Sequence, residues 1–171
     1  QALINRLMYH LDVSKSRDLE VINYVGNASY SLVTQVDGRG VYSFCMCPGG
    51  SVVAATSEIG RIVTNGMSEF ARNKENANAA ILVGVNSSDF ASPHPLAGMY
   101  FQRKLEERAF ELGGKNYAAP TQLVGDFLKD KESKTAKSVQ PSYTPNRSWS
   151  NLSALFPPTI YNTLCTGIVE M

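Results

Sequence analysis

The segment CMCPGG, residues 45–50, holds the side chains best suited to chemistry, because two thiols stand two positions apart beside a predicted turn. Residues 41–47 form a predicted strand, and since side chains alternate along a strand, Cys45 and Cys47 are predicted to share one face. In an extended strand their Cα atoms would lie about 6.6 Å apart, at the upper limit for a disulfide. The opposite face is the predicted core face and carries the larger side chains of the strand: Tyr42, Phe44 and Met46.

Three interpretations of these thiols stay open on sequence grounds. Cys45 and Cys47 could be small buried residues, since cysteine is among the residue types most often found inside. They could be redox or nucleophilic groups and thus candidate catalytic residues, with Pro48, Gly49 and Gly50 forming a turn that another molecule can approach closely. As metal ligands they would need two more donors, and neither histidine stands at a spacing tied to the pair, so no metal site is predicted.

The sequence lacks the motifs that bind phosphates or assemble a common catalytic set. It contains no GxGxxG and no GxxxxGK[ST], the glycine loops that cradle dinucleotides and nucleotides. It also contains no GxSxG, no HExxH and no kinase signature. His94 lies between two prolines before a predicted helix, where it is interpreted as a solvated loop residue more readily than as an anion-binding group.

Composition describes one globular domain without a strong charge signature. A length of 171 residues suits a single domain, and 43% hydrophobic with 18% charged residues excludes a disordered chain. The net charge of +1 argues against nucleic-acid binding. The longest apolar stretches, such as residues 79–85, are far shorter than a membrane span. Three cysteines are too few for a disulfide scaffold, which predicts a reducing compartment, the cytoplasm.

The elements that must position the thiols are predicted to be strands within residues 29–85. Turn signals at Asp37 and Gly38, at Pro48 to Gly50, and at Asn65 and Gly66 separate short runs rich in β-branched and aromatic residues. Such hairpin spacing predicts a mainly antiparallel sheet of five or more strands. The predicted strands are residues 29–36, 41–47, 51–56, 61–64 and 78–85.

Amphipathic helices are predicted to pack against this sheet, which makes the fold class α+β. They lie near residues 95–112, 120–128 and 157–169, each with proline in its first turn and apolar residues at helical spacing. Phe101 stands at the centre of the apolar stripe of the first of them. Its replacement by alanine is therefore expected to empty a core position.

The other segments carry weaker signals. Short helices are expected at residues 3–11 and 68–76. Residues 129–147 are polar, lack any period and contain serine, threonine and proline, which predicts an exposed loop or linker within the domain.

Several long strings resemble the middle region of bacterial uncharacterised FAD-dependent dehydrogenases. The strings are GRGVYSFCMCPGG at residues 38–50, VVAATSEIGRIVTNGMS at 52–68, ENANAAILVGV at 75–85, HPLAGMYFQRKLEERAFELGGKNYAAPTQLVGDFL at 94–128 and PSYTPN at 141–146. The resemblance covers about residues 28–171, and a string such as FCMCPGG is far more specific than a short glycine motif. It implies that residues 1–171 are a single domain excised from a larger flavoprotein.

The resemblance implies a substrate-side or interdomain module of a flavin-dependent oxidoreductase. In that family the flavin-binding Rossmann segments lie outside this region, so the implied partners are the missing Rossmann domain of the same parent chain and a small-molecule substrate. FAD would be bound by the parent, none is expected on this fragment, and the isolated chain is predicted to be inactive. Cys45 and Cys47 become the candidate catalytic residues, and Pro48, Gly49 and Gly50 the candidate loop where substrate or flavin approaches.

A function from another class remains open. The near-neutral charge, the polar segment at residues 129–147 and the lack of a complete catalytic set also suit a non-catalytic module that binds a protein or RNA partner.

Overall fold

A five-stranded antiparallel sheet forms the largest element of the chain. The computed structural model describes the backbone of residues 7–11 and all of residues 32–90, 92–136 and 140–171. The strands lie in the order β1-β5-β3-β2, and β4 pairs with the second half of β3. Their bounds are β1 (Leu7–Leu11), β2 (Val33–Val36), β3 (Arg39–Ala54), β4 (Thr64–Ser68) and β5 (Asn76–Val83). The antiparallel sheet expected within residues 29–85 is confirmed.

The hairpin between β2 and β3 turns where the sequence predicts it. Asp37 and Gly38 have φ values of 50° and 74°, the left-handed conformations that a two-residue hairpin turn requires. The register then pairs Val36 with Arg39 and Val33 with Tyr42.

The predicted turn at Pro48, Gly49 and Gly50 is wrong. The chain continues through them as one strand of 16 residues, β3, so the predicted strands 41–47 and 51–56 are a single element. Two register shifts against β5 occur in this part of the strand, between Phe44 and Cys47 and between Cys47 and Gly50. The residues expected to form a turn lie instead at β-bulges, which bend a strand without reversing its direction.

Four further predictions around the sheet are wrong. Asn65 and Gly66 form no turn but lie inside β4, where Gly66 pairs with Val52. Of the strand expected at residues 61–64, only Thr64 is in a strand, as the first residue of β4. Residues 69–75 form turns and bends instead of a helix, with Arg72 in a left-handed conformation. The expected N-terminal helix is a strand at its described residues, β1, while residues 3–6 lie outside the described part.

The first and last predicted helices are confirmed as α1 (Ala97–Leu112) and α3 (Pro158–Glu170). The middle one reduces to a single turn, α2 (Val124–Phe127). Pro120 lies instead in β6 (Ala119–Thr121), which pairs in parallel with β7 (Arg147–Trp149). Proline fits there because the ladder uses the N–H groups of Ala119 and Ser150, so none is needed from Pro120.

Helix α3 packs across one face of the sheet and closes the main core. Val41 on β3 is fully buried against it, and a β-carbon on Gly167 of α3 would lie only 2.7 Å from the Val41 Cγ1 atom. The helix approaches the strand so closely because glycine has no side chain there. The buried members of this cluster are Val36, Val41, Ile81, Val83, Phe127, Leu152, Leu155, Phe156, Ile160 and Leu164.

The segment at residues 129–147 is not exposed along its whole length. Ser133 is buried, its hydroxyl donates to Asp126 Oδ2 at 2.7 Å, and it accepts the Leu123 N–H at 2.9 Å. Tyr143 is buried beside Val52. These contacts anchor the segment to the domain, and its last residue already belongs to β7.

An ion pair joins the start of β3 to the loop after β5. The Arg39 guanidinium donates to both carboxylate oxygens of Asp89, at 2.7 and 2.9 Å, and also to the Gly84 carbonyl. The hydrogen bond from Arg39 is the main cause that holds the pKa of Asp89 below its ordinary value of 3.8.

We expect Asp89→Asn to lower the free energy of unfolding by about 2 kcal/mol at pH 7, because charge-assisted bidentate hydrogen bonds are lost. The pKa of Asp89 is lower in the folded state, so its charge contributes fully to stability at pH values above the ordinary pKa. This contribution is lost as the pH falls through the lower pKa of the folded state. Urea unfolding of both proteins between pH 7 and pH 3 measures it. A difference that stays constant down to pH 3 would contradict the role of the charge.

Candidate functional site

A bulge in β3 separates the environments of the two thiols. Phe44 pairs with Ala80 and Cys47 with Asn78, so two residues of β3 lie opposite one residue of β5. Cys45 is one of the two, with a φ of 56°, a left-handed conformation that is unfavourable for a residue other than glycine. Its side chain is exposed, whereas Cys47 is buried.

The predicted faces of this strand are therefore wrong. Val41, expected on the thiol face, is in the core, whereas Tyr42 and Phe44, expected in the core, are exposed, Phe44 to 52%. Because Cys47 and Phe44 pair with residues two positions apart on β5, Cys47 lies on the same face as Phe44. Strict alternation fails here because the bulge inserts one extra residue.

The Cys47 thiol has polar neighbours from three parts of the chain. It donates to the Cys45 carbonyl oxygen at 3.4 Å. Burial is the main cause that raises the pKa of the Cys47 thiol, and the nearby Cys45 side chain raises it further. A hydrogen bond with Ser68 and the positive charge of Arg72 lower the pKa of Cys47 and partly oppose these effects.

Arg72 is the functional neighbour that the sequence does not reveal. It stands far along the chain from Cys47, in the connection between β4 and β5, and no local pattern marks it. Only the pairing of β4 with the second half of β3 brings that connection beside the thiols.

Gly49 is buried beneath that same connection, and Gly50 is buried against the neighbouring strand β4. A β-carbon on Gly49, whose φ is 54°, would lie 1.8 Å from the Arg72 carbonyl oxygen, and one on Gly50 would lie 2.1 Å from that of Met67. The Lys74 N–H also donates to the Gly49 carbonyl at 3.2 Å. The chain itself therefore fills the space beside these glycines, where a substrate or flavin was expected to approach. Of the predicted approach loop, only Pro48 is exposed.

Two buried asparagines continue the polar site along β5. Asn78 is 0% exposed, and its amide nitrogen donates to the Ser51 and Met67 carbonyls at 3.3 and 3.4 Å. Its Oδ1 atom has no hydrogen-bond partner among the described residues, and neither has that of Asn76. Alternating asparagines in the otherwise apolar run NANAAILV were the signal in the sequence. Unpaired buried acceptors are rare and mark this position as unusual.

His94 is exposed and belongs to a different part of the surface. Its Nδ1 atom accepts the Leu96 N–H at 3.1 Å, and its ring lies against that of Tyr100. The imidazole thus supports the turn that precedes α1.

In the described ranges, no group of three or more histidine, cysteine, aspartate or glutamate side chains is placed to hold a metal ion. The helices described there also lack an apolar stretch of the length needed to cross a lipid bilayer.

Comparisons with known proteins extend this picture. The model of a family described as "FAD-dependent protein, C-terminal domain-like" matches residues 1–171. An uncharacterised protein of Clostridium beijerinckii is 47% identical over 169 residues, which cover 92% of this chain and 32% of that relative. The chain therefore spans about a third of the length of this relative.

Proposed function

Since this chain belongs to the FAD-dependent protein, C-terminal domain-like family, we propose that it is the substrate-side or interdomain module of a flavin-dependent dehydrogenase. The module would act within a longer flavoprotein, as expected from a relative three times its length. The observation that supports this role best is an exposed apolar sheet face with a free thiol at its end. The cytoplasmic location expected from the cysteine content is part of the same proposal.

The described residues do not fit the binding of a whole FAD molecule. A dinucleotide needs a glycine loop whose backbone can approach the pyrophosphate, and the sequence has no such motif. The glycines nearest the site, Gly49 and Gly50, are covered by the carbonyls of Arg72 and Met67. FAD would therefore be held by other parts of the parent.

The exposed face offers a surface for the flavin-bearing part of the parent. Val33 pairs with Tyr42, which pairs with Leu82, so these side chains form one row across three strands. Phe44 extends it toward the bulge, and the exposed members of the face are Val33, Tyr42 and Phe44. Exposed aromatic rings that the protein's own core does not use are typical of interfaces.

The chain's own residues would position a small substrate at the end of this face. Cys45 presents an exposed thiol there, and Cys47 lies behind it within reach of the Arg72 charge. Asn78 is fully buried behind them and offers no atom to a substrate. Substrate binding would thus use the exposed thiol and the Arg72 cation.

The test uses the full parent flavoprotein. We expect Cys45→Ser and Cys47→Ser to slow flavin reduction by substrate about 10-fold or more, while the thermal midpoint changes little, because serine keeps the size and removes the thiol. Cys165→Ser, in α3, is the matched control and should react at the wild-type rate. Unchanged reduction rates in both site variants would remove the cysteines from the mechanism.

A protein-binding role is the second candidate. Ile59 and Phe70 are almost fully exposed at loop tips outside the sheet face, as a protein partner site would require. In this role the two cysteine variants would leave turnover of the parent unchanged, whereas Phe70→Asp would release a partner.

A further inference from the structure

We propose that Cys45 and Cys47 form a reversible dithiol/disulfide couple that exchanges with soluble small-molecule disulfides, Cys45 as the attacking thiol and Cys47 as the resolving thiol. The couple is a property of this chain alone and requires no bound flavin.

The bulge places the two side chains together. The Cys47 sulfur lies 3.4 Å from the Cys45 carbonyl oxygen. The two cysteine side chains are also within hydrogen-bonding reach of each other. Neither arrangement follows from a regular strand, where residues two apart stand at the upper limit of disulfide geometry. The irregular backbone at Cys45 therefore brings the two cysteines together.

The different exposure of the thiols sets their order of reaction. Cys45 is exposed, so a disulfide in solution meets it first, while Cys47 is only 9% exposed. Burial raises the pKa of Cys47, so its thiol ionises less readily than an exposed one. Ser68 and Arg72 then stabilise the thiolate as it forms. Such a division between an accessible and a shielded thiol suits attack followed by resolution.

The exchange balances in two steps. Cys45 loses its proton to solvent, and the resulting thiolate attacks one sulfur of the disulfide RSSR, forming a mixed disulfide and releasing RS⁻. Cys47 loses its proton to solvent, and its thiolate attacks the Cys45 sulfur, forming the Cys45–Cys47 bond and releasing the second RS⁻. Both leaving thiolates take up protons, so the dithiol is oxidised by two electrons and RSSR is reduced to two RSH.

Cys165 provides the internal comparison. It lies in α3, half-buried, and interacts with Tyr161 on the same helix. With three cysteines in the chain, the number of thiols labelled after denaturation reports how many have been oxidised, and the labelled peptides show which.

The experiment incubates the chain with oxidised glutathione, quenches it in acid, and labels free thiols with N-ethylmaleimide under denaturing conditions for peptide mass spectrometry. Wild-type protein should lose two labels, at Cys45 and Cys47, carry no glutathione, and recover both labels with reduced dithiothreitol. Cys165→Ser should behave in the same way at those two positions. Cys47→Ser should retain one glutathione on Cys45, because the resolving thiol is missing, and Cys45→Ser should form no internal disulfide.

The proposal is overturned if wild-type protein keeps all its labels, retains glutathione on Cys45, or links Cys45 to Cys165. Cys47→Ala serves as a second variant that removes the thiol without placing a hydroxyl in the buried site. No flavin is present in these measurements, so their failure leaves the interdomain role in the parent intact.

Discussion

The Gly49→Ala variant is expected to lose about 2 to 4 kcal/mol of unfolding free energy, which combines a left-handed backbone with overpacking. The new β-carbon would lie 1.8 Å from the Arg72 carbonyl oxygen, a rigid backbone atom that cannot rotate away. The connection that carries Arg72 must therefore shift, and the cation moves away from Cys47. Urea unfolding monitored by circular dichroism gives the loss of stability.

Gly38→Ala is the matched control for backbone strain. Gly38 has a φ of 74°, also left-handed, but nothing lies within 4 Å of a β-carbon built on it. We expect this variant to lose only about 1 kcal/mol, the cost of the conformation alone. Equal losses at the two glycines would show that the packing of the connection on β3 contributes nothing.

The second large effect is expected at Leu164, a residue of α3 whose side chain lies in the main core. Leu164 is 1% exposed, so Leu164→Ala removes a fully buried side chain and leaves a cavity, at a cost of about 3 to 5 kcal/mol. Val169→Ala in the same helix is the control, because Val169 is 72% exposed and should cost less than about 0.5 kcal/mol. Similar losses for both would contradict the packing of α3 on the sheet.

Phe101 is less deeply buried than its place in the helical stripe predicts. The helical stripe made it a central core residue, but it is only partly buried at the margin of the main cluster, with its ring beside that of Phe90. The buried apolar residues of α1 are Ala97 and Leu105. Phe101→Ala should therefore cost less than Leu164→Ala. Periodicity locates an apolar face but not the depth at which each residue lies.

Local signals were sufficient for elements whose ends are fixed by local chemistry. The α1 and α3 helices have proline near their starts, and the turn at Asp37 and Gly38 needs only its own two residues. The same local rules failed at Pro48 to Gly50, where glycines serve a bulge under a distant segment. Propensity cannot separate a turn from a bulge, because both use left-handed backbone.

The candidate site could be predicted only in part for the same reason. Cys45 and Cys47 were found from the sequence because they stand together in it. Arg72 and Ser68 reach the thiol through strand pairing between distant segments, and Asn78 reaches it from a third strand. The core face was assigned wrongly because the aromatic side chains before the bulge are exposed while the smaller Val41 is buried against α3. Beyond Phe44, one inserted residue also reverses the alternation.

The exposed face formed by Val33, Tyr42 and Phe44, with Cys45 at its end, is proposed to meet the flavin-bearing part of the parent. The most direct test is the rate at which a bulky polyethylene glycol maleimide labels Cys45 in the FAD-loaded parent and in this chain alone. A cysteine introduced at the exposed position Lys104 on α1 is the reference. We predict that labelling of Cys45 slows about 10-fold or more in the parent while the reference is unchanged, since thiol reactivity follows exposure. Equal Cys45 labelling rates in the two proteins would contradict the account.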